Sequence, residues 1–148
     1  MAMALFMSAK CITGLRFLAS NGKIHPAPLL AFCLLWPGMD ITAFCTRSYV
    51  TAVPVREWGF AAGNTIFGML LVWGAVPVIS PLHPLLSGWA GMIGLVFILH
   101  FGLFHLLSLF WRALGFNVRP IMRSPGTATS LSKFWGESWN AAFSYFNA

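Results

Sequence analysis

Four groups of residues in this sequence have types and spacings that could do chemistry. The run Phe134-Trp135-Gly136-Glu137-Ser138-Trp139-Asn140 puts two tryptophans, a phenylalanine, an acid and an amide within seven residues. As a helix starting near Ser130, it aligns Leu131, Trp135, Trp139, Ala142 and Phe146 in one apolar stripe, opposite Lys133, Glu137, Asn140, Ser144 and Asn147. Thr129 or Ser130 can cap its amino end. Two readings follow: an amphipathic helix lying in a membrane interface, or a helix whose Asn140 faces a water-filled cavity of a membrane enzyme. His100 and His105 form an H-x-x-x-x-H pair of the kind that can hold iron. On a helix, however, five residues turn about 500°, leaving the imidazoles about 140° apart. His25 and His83 lie in loops and supply no second cluster, so a metal site is set aside. Interhelical hydrogen bonds, or the lining of a polar route, suit the pair better. Arg119 and Arg123 could hold phosphates through their planar forks or anchor a helix end beside anionic headgroups. Asp40, beside Pro37-Gly38, is either an intramembrane acid or a turn and cap residue. No Ser-His-Asp or Cys-His pattern and no glycine-rich phosphate loop accompanies these groups.

The order of these residues resembles a known family. Arg119-Pro120-Ile121-Met122-Arg123-Ser124-Pro125 is followed by Ala128-Thr129-Ser130-Leu131-Ser132-Lys133-Phe134-Trp135-Gly136 and then by Trp139-Asn140. This is similar to the signature of the wax-synthase-like branch of the membrane-bound O-acyltransferases, which reads R-P-I-M, A-T-S-L and F-W-G-R-R-W-N. Trp36-Pro37-Gly38-Met39-Asp40 and the run from His100 to Leu107 also resemble that branch, so the likeness extends from about Leu30 onward. Glu137 and Ser138 stand where the branch has two arginines, which removes any phosphate contact those arginines would make. The resemblance implies transfer of a fatty acyl group from acyl-CoA to an alcohol, with a histidine in a later membrane helix as general base. It implies that Asn140 helps to orient substrates, that Phe134, Trp135 and Trp139 shape the acyl-CoA channel, and that Arg119 and Arg123 bind substrate. Acyl-CoA enters as a substrate; no cofactor or metal is implied.

The elements that must position these residues belong to a membrane protein. The chain has 148 residues, 58% hydrophobic and 8% charged, with a mean hydropathy of +0.77, too apolar for a soluble domain. Nine Lys and Arg against Asp40, Glu57 and Glu137 give a net charge of +6. The cations flank apolar segments rather than clustering, so they read as topology signals and exclude nucleic-acid binding. Cys11, Cys33 and Cys45 are odd in number and lack C-x-x-C spacing, which suggests free thiols.

In chain order, Met1 to Ser20 is interrupted by Lys10 and Arg16 and lacks a signal-peptide pattern. It reads as part of an interfacial leader, residues 1–27, or a poorly ordered end. Pro28 to Cys45 is broken by Pro37-Gly38 and is either a kinked crossing or a re-entrant segment. Thr46 to Glu57 reads as a polar connection. From there to Arg112 the chain carries no Asp, Glu, Lys or Arg, and Ser80-Pro81-Leu82-His83-Pro84 divides this block. Phe60 to Ile79 and Leu86 to Trp111 are each long enough to span a hydrocarbon core of about 30 Å. Gly59 and Gly63 on one, and Gly88, Gly91 and Gly94 on the other, suggest close helix packing.

The expected fold is thus an all-α membrane protein: two transmembrane helices as a hairpin, one kinked or re-entrant segment, and a carboxy-terminal amphipathic interfacial helix. Arg47 and Arg56 before the hairpin, and Arg112, Arg119, Arg123 and Lys133 after it, place both its ends and the motif helix on the cytoplasmic side of a multi-pass protein. Residues 28–148 form a partial wax-synthase-like domain that stops before the catalytic histidine helix, because His25, His83, His100 and His105 all precede the motif. Such a chain is expected to be inactive alone, with a second chain as one source of the missing half. The lipid bilayer, acyl-CoA and an alcohol acceptor are its expected partners. The alternative is a small, non-catalytic multi-pass membrane protein that binds a partner or a lipid surface.

Overall fold

The structure, a computed structural model, describes residues 2–21, 26–45, 52–122 and 127–135. Among these the regular structure is helical, and no β-strand forms: α1 (Ala2–Asn21), α2 (Pro26–Leu35), α3 (Ile41–Cys45), α4 (Val55–Ile79), α5 (Pro84–Ala113) and the short α6 (Leu131–Lys133). The chain divides into two units, Met1–Thr51 with Trp111–Ala148, and Ala52–Phe110.

In the second unit, α4 and most of α5 pack against each other, and prolines set their starts. Pro54, with φ −58° and ψ 133°, precedes α4, and Pro84 occupies the first turn of α5, where its missing N–H is no loss. Glu57 sits in the first turn of α4, where the helix dipole favours an acid. The polar connection anticipated through Glu57 therefore ends earlier, and Arg56 and Glu57 are helical. Along α4, the turns widen to π-helical hydrogen bonding over Leu70–Ala75, just before Pro77. Proline cannot donate an N–H to the fourth preceding carbonyl and its ring crowds it, so a wider turn relieves both problems. A second π-helical stretch, Phe97–Leu103, lies in α5. At 25 and 30 residues, α4 and α5 are long and apolar enough to cross a membrane.

Of the glycines singled out by spacing, Gly94 lies at the helix contact, together with Gly68 and Gly102, which spacing did not single out. A Cβ on Gly68 would lie 2.6 Å from the Gly94 carbonyl oxygen and 2.8 Å from the Ile98 nitrogen; one on Gly94 would lie 2.7 Å from Val72 Cγ2. A Cβ on Gly102 would overlap Thr65 Oγ1. The seam therefore runs through Ala61, Thr65, Gly68 and Val72, at helical intervals of four and three. Gly59, Gly63 and Gly88 have open space where a Cβ would go. Their regular spacing lies off this seam, so it contributes nothing to the contact.

In the first unit, aromatic rings form the core. Phe44 of α3 is fully buried and meets the rings of Phe32, Trp36, Trp111 and Phe116 at centroid distances of 4.9–6.2 Å. The end of α5 is shaped to deliver two of these rings. Gly115 adopts φ 87°, the Phe116 N–H donates to the Trp111 carbonyl, and the Gly115 N–H donates to the Arg112 carbonyl. This is a Schellman turn, with the Phe116 and Trp111 rings 5.0 Å apart as its hydrophobic contact. Val118, Ile121 and Met122 continue the buried side of this unit.

Candidate functional site

Pro37 breaks the apolar segment after α2: a proline disfavours helical geometry at the residue before it, and the helix stops at Leu35. The chain resumes as α3 at Ile41. Asp40 stands at that start, with its carbonyl accepting the Phe44 N–H at 3.3 Å and its carboxylate accepting the Thr42 hydroxyl at 2.6 Å. Of its two sequence readings, this geometry matches the cap. Gly38 is required by close approach, since a Cβ there would lie 2.8 Å from Trp36 Cε2 and still nearer its indole nitrogen.

Stopping α2 inside a packed unit leaves its last carbonyls without helical partners, and such groups need donors when buried. Side chains from elsewhere in the unit supply them. Trp111 Nε1 donates to the Leu35 carbonyl at 3.4 Å. Lys10 Nζ donates to the Phe32 carbonyl at 2.6 Å and also to the Trp36 carbonyl. Lys10 is fully buried, and its Nζ lies 3.6 Å from the centroid of the Phe32 ring and 5.8 Å from that of Phe6. Burial pushes its pKa from 10.5 down to about 8, outweighing the opposite pull of Cys33. Burial, followed by Cys33, also raises the Cys45 thiol.

This lysine is the residue that reading along the chain missed. A charge within twenty apolar residues suggests an interface or a frayed end, yet residues 2–21 form one helix. Its helical phase held the signal. Phe6, Lys10, Gly14 and Phe17 share one stripe, and Gly14 is buried beside Leu29, whose Cδ1 would lie 3.4 Å from a Cβ added at Gly14. Arg16 falls off that stripe and is exposed.

The residues named from the carboxy-terminal motif are placed as far as Trp135. Ser130 caps α6, its hydroxyl accepting the Lys133 N–H at 3.1 Å. The Phe134 and Trp135 rings meet edge-on at 5.1 Å, and Trp135 is 62% exposed. Arg119 is exposed beside the buried Val118, Ile121 and Met122. Arg123, Trp139 and Asn140 lie outside the described residues, as do Glu137 and Ser138.

In the second unit, the polar residues of α4 and α5 are tied to helix packing. The Thr65 hydroxyl donates back to the Ala61 carbonyl at 2.9 Å, a bond made within its own helix. His105 meets the Phe60 ring at 5.9 Å, and His100 meets Phe104 at 5.5 Å. The Asn64 side-chain nitrogen is buried with no hydrogen-bond partner among the described residues. No group of three or more His, Cys, Asp or Glu suited to a metal occurs among the described residues.

Comparison with protein-family models, with curated proteins and with solved structures returns no match.

Proposed function

We propose that this chain is an integral membrane protein whose α4 and α5 cross the bilayer as a hairpin, and that its carboxy-terminal motif handles acyl-CoA at the cytoplasmic face. The observation that carries the membrane reading is the exposure of the apolar helices. Only 11% of the apolar window in α4 and 28% of that in α5 is buried within the protein. Phe60, Leu70, Trp73, Val78, Leu85 and Trp89 are each more than half exposed. Apolar surface on that scale is unfavourable in water by about 25 cal/mol per Å². Lipid removes that cost. The cations flanking the pair, including Arg56 and Arg112, then put both hairpin ends in the cytoplasm.

The acyl-transfer reading rests on the resemblance of the 119–140 motif to the wax-synthase-like acyltransferases. In such a reaction the alcohol oxygen attacks the thioester carbonyl, a base takes the hydroxyl proton, and coenzyme A leaves as its thiol. Within that scheme Phe134, Trp135 and Trp139 line the acyl-CoA path, Asn140 orients a substrate, and Arg119 and Arg123 face the coenzyme phosphates. None of the four histidines is assigned as the base.

The test is saturable binding of a photoactivatable acyl-CoA to the full chain in its own membranes. Labelling that Trp135→Ala and Asn140→Ala weaken by tenfold or more is expected. A folded sample with no saturable labelling would remove the acyltransferase reading and leave a non-catalytic membrane protein.

A further inference from the structure

We propose that the broken end of α2 is a binding site for a primary ammonium ion and that Lys10 is its tethered occupant, so that α1 docks through the charge of that lysine. The match between contacts and donors carries the inference. Three electron-rich groups surround Lys10 Nζ: the carbonyl oxygens of Phe32 and Trp36, and the face of the Phe32 ring, whose centroid lies 3.6 Å away. An ammonium has three N–H groups, one for each. A neutral amine has two, and would turn its lone pair towards a carbonyl oxygen or the negative face of the ring. The Phe6 ring, 5.8 Å from the nitrogen, adds a second aromatic surface that attracts a cation. Both carbonyls lie where α2 stops, the end at which a helix dipole favours positive charge.

The same arrangement sets the class of ligand. Two protein oxygens fall short of the roughly six to eight that a cation such as calcium gathers, whereas the directional N–H groups of an ammonium are matched one for one. Lys10 and Phe32 are fully buried and Trp36 is 5% exposed, so water does not compete for these N–H groups. Charge-assisted hydrogen bonds are the strong ones, and stronger still in so dry a site. Burial by itself disfavours the charge, yet it brings the pKa down only to about 8, which leaves the group protonated at pH 7.

The test removes the tethered ligand and returns it free. In full-length Lys10→Ala in lipid nanodiscs, n-propylammonium chloride supplies the missing atoms from Cγ to Nζ. At pH 7 the substitution should lower amide protection of residues 4–20 by about tenfold or more. The propylammonium ion should restore it saturably, while n-propanol and potassium chloride at the same concentration should not. Equal rescue by propanol would mean that filling space is enough, and equal rescue by potassium chloride that ionic strength or a metal ion acts instead. Either result, or no rescue at all, would overturn the site. Lys10→Met, close in length but uncharged, should also lose protection; unchanged protection would overturn the role of the charge. Where both variants fail to fold, the wild type decides. The sequence has three lysines, so nitrogen-15 lysine labelling separates Lys10 from Lys23 and Lys133 by NMR. At pH 7 the Lys10 nitrogen should show the shift of an ammonium, with its protons moved upfield by the Phe32 ring. The shift of a neutral amine, or protons without that displacement, would overturn the proposal.

Discussion

Replacing Gly68 by alanine tests the seam between α4 and α5 at its tightest point. The added Cβ would stand 2.6 Å from the Gly94 carbonyl oxygen, about 0.8 Å inside the 3.4 Å at which ordinary contact begins. It would also stand 2.8 Å from the Ile98 backbone nitrogen. Both obstacles are main-chain atoms, so no rotamer change relieves them and the helices must move apart. Overpacking of this kind costs about 1–3 kcal/mol. Alanine in place of glycine in a helix returns up to about 1 kcal/mol. Gly63 is the matched control, because its Cβ position is open. Gly63→Ala should therefore be neutral or stabilising by up to about 1 kcal/mol, and Gly68→Ala should lie about 1–3 kcal/mol below it. Reversible denaturation of the full chain in mixed micelles, followed by tryptophan fluorescence, measures the difference. Equal stability of the two variants would refute the assigned register.

Further outcomes follow from other sites. Gly38→Ala should displace the Trp36 indole and lower first-unit stability by about 1–3 kcal/mol, read as a shift in near-ultraviolet dichroism and melting temperature. Gly115→Ala places a side chain at φ 87° and should cost about 1–2 kcal/mol in thermal denaturation; an unchanged melt would contradict the Schellman turn. Asn64→Leu removes a buried amide nitrogen that has no hydrogen-bond partner among the described residues, so the second unit should tolerate or gain from it by about 1–3 kcal/mol; a marked loss on denaturation would mean that the amide has a partner.

The second unit was largely legible in the sequence, because an apolar block without acidic or basic residues and with a proline-bounded turn admits few structures but two long helices. The helix starts were misplaced because Pro54 and Pro84 set them, and charged Arg56 and Glu57 fit within the first turn. The contact seam was legible only at Gly94. Glycine spacing along one helix shows where backbones could approach, but the register between two helices decides where they do, and Gly59 and Gly63 fell on the open side. The break at Pro37-Gly38 was legible from proline chemistry alone. What satisfies the broken end was not, because the donors come from Lys10 and Trp111, 26 and 76 residues away from their acceptors. The carboxy-terminal motif is known chiefly by its residue order: Ser130, Phe134 and Trp135 are placed, while Arg123, Trp139 and Asn140 lie outside the described residues.

The membrane hairpin is the central claim, and cysteine accessibility tests it most directly. With Cys11, Cys33 and Cys45 replaced by serine, single cysteines at Leu82, in the turn, and at Val53, ahead of α4, are probed with an impermeant maleimide on intact and opened cells. The account predicts that Leu82→Cys is labelled from outside intact cells and Val53→Cys only after opening. Labelling of both from the same side, or recovery of the protein without membranes, would contradict it.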